Sequence, residues 1–141
     1  MNTLIATSKI IINVPATKVW EALTTPALIK EYLFGTEAKS DWKVGSPITY
    51  SGVWEGNQYE DKGVILKIEP PKLLETSYWS VASGLADSPE NYKKVSYALS
   101  EQDGNTEVTI TQDNNATEEE RDHSQKNWET VLQGLKKLLE K

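Results

Sequence analysis

The sequence predicts an α+β domain in which one antiparallel sheet curves around a long carboxy-terminal helix. Three observations carry this. First, Thr117 to Lys141 place Trp128, Val131, Leu132, Leu135, Leu138 and Leu139 at steps of three and four, which makes one apolar helical stripe. Second, the body before it alternates in polarity and is punctuated by turn residues, the pattern of meandering strands. Third, helical stretches near the amino terminus leave those strands between two clusters of helix, the layout of an α+β domain. At 141 residues the chain is read as one domain over 1–141, large enough to bury a core without staples.

The elements follow in order. Leu4 to Val14 has strand composition, with Ile10, Ile11 and Ile12 making its second half β-branched. Pro15 starts a helix, because proline is tolerated where the amide would go unpaired. Val19, Trp20 and Leu23 supply its buried side. Thr24-Thr25-Pro26 ends it, since the residue before proline is pushed out of the helical region. A short second helix, Ala27 to Leu33, stops at Gly35. A strand at Thr36 to Asp41 is an optional addition to the five that follow.

Ile48, Tyr50 and Trp54 share one phase of the first of those five, and Glu55-Gly56-Asn57-Gln58 is a hairpin signal. Tyr59 to Ile68 continues as a strand that ends at Pro70-Pro71, where no amide can donate. Leu73 to Trp79 is the next strand, and Ser80 to Asn91 a long loop. Tyr92 to Ser100 and Thr106 to Asp113 pair around Asp103-Gly104-Asn105. Thr117 with Glu118, Glu119 and Glu120 reads as a capping box opening the final helix.

Composition excludes several functions. There is no cysteine, so no disulfide, thiolate nucleophile or zinc–thiolate site is available. The formal net charge of −6 and a single arginine, Arg121, argue against nucleic acid, whose phosphates need clustered cations. Acidic membrane surfaces are disfavoured for the same reason. The apolar residues of Met1 to Ile12 are broken by Thr7, Ser8 and Lys9, so neither a signal peptide nor a membrane span is expected, and the cytoplasm is the default location.

No catalytic residue and no metal site are expected. His123 is the only histidine, so no imidazole cluster can bind a metal or relay a proton. It reads as solvent-facing in the polar part of the last helix, with no partner placed for it. Glu60-Asp61 would point to opposite faces of a strand, and the acids at 118–120 favour the helix dipole. No glycine-rich phosphate loop or nucleophile elbow occurs, and no cofactor is expected.

The aromatic residues are the remaining signal. Trp20 and Trp42 read as packing residues. Trp54, Tyr78 and Tyr97 fall on the inward phases of their strands, and Trp128 opens the helix stripe opposite them, above Val131 and Leu135. Two readings stand. The aromatics fill the core, or together with Ser124 they line a cavity between sheet and helix, concave and mostly apolar with a few polar groups. Gly134, on the flank of that helix, is expected to leave part of the space unfilled.

Ile12-Asn13-Val14-Pro15-Ala16, then Val19-Trp20-Glu21-Ala22-Leu23-Thr24 and Pro26, resemble the opening of the activator-of-Hsp90-ATPase homologue (AHSA1-type) family. The resemblance continues through Asp41 to Gly45, Gly63-Val64, Ile68-Glu69-Pro70-Pro71, Leu74, Gly104 with Thr106, and Trp128 with Leu132 and Leu135. It departs at Gly45-Ser46, where the family carries a glycine pair. The resemblance implies the helix-grip fold of the START-like, Bet v 1-like superfamily, two short amino-terminal helices included. It covers ligand carriers, cochaperone domains and polyketide cyclase-like enzymes, and fold alone does not choose among them. The reading carried forward is a non-enzymatic binder of a small apolar or amphipathic molecule. The alternatives are a regulator that docks on an Hsp90-type chaperone, or a cyclase-like enzyme using Tyr78, Tyr97 or Ser124.

Overall fold

The computed structural model describes residues 4–33, 35–54, 56–80, 86–115 and 117–140, apart from the side chains at 54 and 57. Ten elements follow one another: β1 (Ala6–Ile12), α1 (Ala16–Thr24), α2 (Pro26–Tyr32), β2 (Glu37–Ser40), β3 (Pro47–Trp54), β4 (Asn57–Glu69), β5 (Leu73–Ser80), β6 (Lys93–Gln102), β7 (Asn105–Gln112) and α3 (Glu118–Leu139). The optional strand before Ile48 is present as β2. Residues 81–85 of the long loop lie outside the described residues, and the loop ends in a single 3-10 turn at Pro89–Asn91.

The strands form one antiparallel sheet in the order β1-β7-β6-β5-β4-β3-β2. Each neighbour along most of the chain is also the neighbour in space, so short turns suffice. The Asp103-Gly104 turn takes positive φ at both residues, 55° and 83°, which matches the twist of the strands it joins. At the departure from the family pattern, Gly45 takes a φ of 87° and its amide bonds Ile65 O at 2.8 Å, while Ser46 has no positive φ to adopt. A single glycine is enough for that turn. Gly63 has a different role: a Cβ there would fall on the carbonyl oxygen of Ser77, so only glycine lets β4 and β5 approach.

Pro15 caps α1 from an extended conformation (φ −67°, ψ 159°), so the helix begins at Ala16, one residue after the expected start, and Pro26 sits at the opening of α2. Thr117 Oγ1 accepts the Glu120 amide at 3.0 Å, which starts α3 as the capping residues predict. The Glu120 carboxylate also receives Lys93 Nζ at 2.7 Å, tying the helix start to β6.

Alternation then places one face of the sheet against α3. Ile12, Val108, Ile110, Val95 and Leu99 point to it, and α3 answers with Val131, Leu132 and Leu135, all buried. Val19, Ala22 and Leu23 of α1 close the same cluster, with Trp20 and Trp42 packed against its rim. This is the helix-grip architecture: a curved sheet holding one long helix, with two short helices covering an end. No described helix is long and apolar enough to cross a membrane.

Candidate ligand site between sheet and helix

Where α2 and α3 meet the inner face of the sheet, aromatic residues replace the aliphatic packing. Tyr97 of β6 meets Trp128 of α3 edge to face, with ring centres 6.0 Å apart and planes at 88°. These two rings, with Tyr50, Tyr32, Val131 and Leu135, enclose a small internal space; Leu23, Leu33, Leu74 and Ile110 complete its wall. About 10 Å³ of it is open to the centre of a water molecule, room for about one.

Each polar tip around this space can be accounted for. Tyr32 Oη donates to Ala22 O at 2.9 Å and so joins α2 to α1. Tyr78 Oη donates to Asp61 Oδ2 at 2.9 Å, both on the inner face. The hydroxyls of Tyr50 and Tyr97 lie beside each other and, among the described residues, bond no other group. Burial pushes all four phenols above their ordinary range, because a phenolate would lose its hydration. The Asp61 carboxylate adds to the rise at Tyr78. All four are therefore neutral at pH 7.

On the other side, Trp128 Nε1 donates to Gln112 Oε1 at 2.9 Å. Gln112 Nε2 donates to Ser124 Oγ at 3.2 Å, and Ser124 Oγ to Asn115 Oδ1 at 3.3 Å. Fully buried Asn115 donates in turn to Leu4 O and Gln112 O, at 3.1 and 3.0 Å. This chain fixes the indole and ties α3 to β7 and the segment before β1.

Of the residues expected at the site, the fold brings Tyr97, Trp128, Val131 and Leu135 around the internal space. Tyr78 packs against the core nearby but directs its hydroxyl to Asp61. Ser124 belongs to the hydrogen-bonded chain instead of the wall. The side chain of Trp54 lies outside the described residues. Gly134 does not face this space: a Cβ there would meet Tyr32 O at 3.6 Å and Tyr32 Cβ at 3.7 Å. The glycine serves the crossing of α3 over α2, which corrects the expectation that it leaves the cavity unfilled.

Sequence reasoning missed Tyr50, although it shares the phase of Ile48, and Tyr32, whose face on a seven-residue helix is set by α3. It also missed Gln112 and Asn115, because nothing local tells a buried amide from an exposed one. His123 is exposed on α3. Among the described residues, no group of three ligating side chains converges as a metal would need.

Residues 13–140 match the family described as activator of Hsp90 ATPase homologue 1-like protein. The solution structure of ChR145 from Cytophaga hutchinsonii is 51% identical, with a TM-score of 0.87, over 99% of this chain and 96% of that one. CalU16 from Micromonospora echinospora is 25% identical, TM-score 0.68, over 90% and 70% of the two chains. The Aha1 dimer from Colwellia psychrerythraea shares the fold, with 21% identity and a TM-score of 0.74 over 97% and 96%. No curated protein sequence gives a significant match.

Proposed function

The chain belongs to the activator of Hsp90 ATPase homologue 1-like family, and on that premise we propose that it binds a small apolar or amphipathic molecule between the sheet and α3. The observation that carries this reading is the enclosed space at the tyrosine end, apolar in its walls yet bordered by the Tyr50 and Tyr97 hydroxyls, which among the described residues bond no other group. A concave, mostly apolar site with a few polar groups is the usual design of a small-molecule pocket. Among the described residues, no nucleophile paired with a base is placed there, so binding without turnover is the simpler function.

Room for about one water does not hold such a molecule, so a wall must move. The wall best suited to move is α2, which has only seven residues and leaves helical geometry at Leu33 (φ −112°, ψ 45°). A hinge at that end would let Tyr32 and Leu33 swing from Trp128 while α1 and α3 stay packed.

Titration with the neutral fluorescent probe N-phenyl-1-naphthylamine tests the proposal. One-to-one binding is expected, with quenching of tryptophan emission through Trp128 and a rise in melting temperature, since only the folded state binds. Absence of saturable binding by this or any copurifying small molecule, with a stable complex on an Hsp90-type chaperone instead, would replace the reading with docking at the surface.

A further inference from the structure

The composition of the wall narrows the ligand further, on the premise that the space between sheet and α3 is a binding site. Among the described residues that line it, none carries a charge. Among the described residues, the one charge bearing on the four tyrosines is the Asp61 carboxylate behind Tyr78, and it is negative. The Tyr50 and Tyr97 hydroxyls border the space side by side and, among the described residues, bond no other group. Each hydroxyl offers one donor and two lone pairs, so the pair retains at least one unused O–H and spare acceptor sites. Tyr32 and Tyr78 have already committed their protons, to Ala22 O and to Asp61.

We infer that the molecule held here is neutral and carries a carbonyl or hydroxyl oxygen that seats on the Tyr50–Tyr97 hydroxyl pair. An uncharged oxygen completes the hydrogen bonding of the pair at little desolvation cost. A carboxylate would enter an apolar space with no cation to meet it and with Asp61 close by, and an anion buried without a partner is strongly disfavoured. The site therefore selects ketones, esters or alcohols over fatty or aromatic acids of the same shape. The neutrality of the phenols, kept by burial, holds that preference through the physiological range.

Acetophenone, ethylbenzene and benzoate have similar shapes and differ in the oxygen and the charge. Isothermal titration of the full chain at pH 7 should rank acetophenone about tenfold tighter than ethylbenzene, the worth of one neutral hydrogen bond. Benzoate should bind about a hundredfold more weakly than acetophenone or not at all. Tyr50→Phe and Tyr97→Phe should each weaken acetophenone only in part, because the remaining hydroxyl keeps a proton to donate. The double variant should bring acetophenone down to the affinity of ethylbenzene and leave ethylbenzene unchanged. If acetophenone and ethylbenzene bind the native chain equally, or benzoate binds best, the selectivity is wrong while the cavity stands. If none of the three binds and N-phenyl-1-naphthylamine also fails, the cavity falls and this inference with it.

Discussion

The two halves of α3 face different chemistry. From Val131 onward the helix buries Val131, Leu132 and Leu135 among Ile12, Val19, Ala22 and Val108, none of which carries a polar side-chain group. Before Val131 the interface is made of hydrogen bonds. Ser8 Oγ donates to Gln125 O at 2.9 Å, and Trp128, Gln112, Ser124 and Asn115 form their chain. The tyrosines lie beside the junction. Aliphatic packing is close and non-directional, and burial of one leucine contributes about 1.5–3 kcal/mol. The polar end gains less per contact but fixes orientations, and it is where a ligand's oxygen can be recognised. Stability and the proposed binding thus occupy neighbouring parts of one interface.

Raising the pH separates the two ends most strongly. Tyr32, Tyr50, Tyr78 and Tyr97 are all held above the ordinary phenol value of about 10. A raised folded pKa means the native state keeps protons that the unfolded chain releases. That stability is fully present below pH about 10 and is lost as pH climbs towards the folded values. Each tyrosine contributes a slope of about 1.4 kcal/mol per pH unit, so four together approach about 5.5 kcal/mol per pH unit. Urea denaturation between pH 9 and 11.5 should show a steep fall, made shallower by each Tyr→Phe substitution. A flat profile would mean that these phenols are solvated.

Leu132→Ala probes the aliphatic end. Leu132 is 1% exposed, and its truncation should cost about 2–5 kcal/mol in denaturant titration at pH 7. Ligand affinity, measured on the folded variant, should change little. If binding collapsed as far as stability, the two ends would not be separable.

Within the polar end, the hydroxyls should differ. Tyr32→Phe leaves the Ala22 carbonyl without its partner and should cost about 1 kcal/mol. The double variant Tyr50→Phe, Tyr97→Phe removes two neighbouring hydroxyls that, among the described residues, bond no other group, and such a change is close to neutral for stability, within about 0.5 kcal/mol. A double variant less stable than Tyr32→Phe would show that the pair is structural.

Gly134→Ala should have the smallest effect. The added Cβ meets Tyr32 at ordinary contact distance, and better helix propensity should stabilise the chain by about 0.5–1 kcal/mol in thermal melts. Gly134→Leu should instead press on Tyr32 and destabilise. A loss on Gly134→Ala would mean that α2 cannot yield even slightly, which would weaken its assignment as the moving wall.

The order of the elements, their turns and the inward phase of the strands carrying Ile48, Tyr78 and Tyr97 were legible in the sequence. These depend on local rules: Pro26 stops a helix, Asp103-Gly104 makes a tight hairpin, and Trp128 with Leu132 and Leu135 marks one helical face. The same periodicity placed Tyr97, Trp128, Val131 and Leu135 together, because a face known for each element is enough once the elements are stacked. Tertiary structure decided the rest. Whether Gly134 opened a cavity depended on where α2 crosses α3, a long-range contact with Tyr32. Whether Tyr78, Ser124 and Tyr97 offered polar groups to a ligand depended on which proton was already taken: Tyr78 gives its own to Asp61 and Ser124 to Asn115, while Tyr97 lies beside Tyr50 in the wall. Periodicity gives the direction in which a side chain leaves the backbone. The partner that a buried hydroxyl finds comes from residues far along the chain, and only the assembled fold determines it.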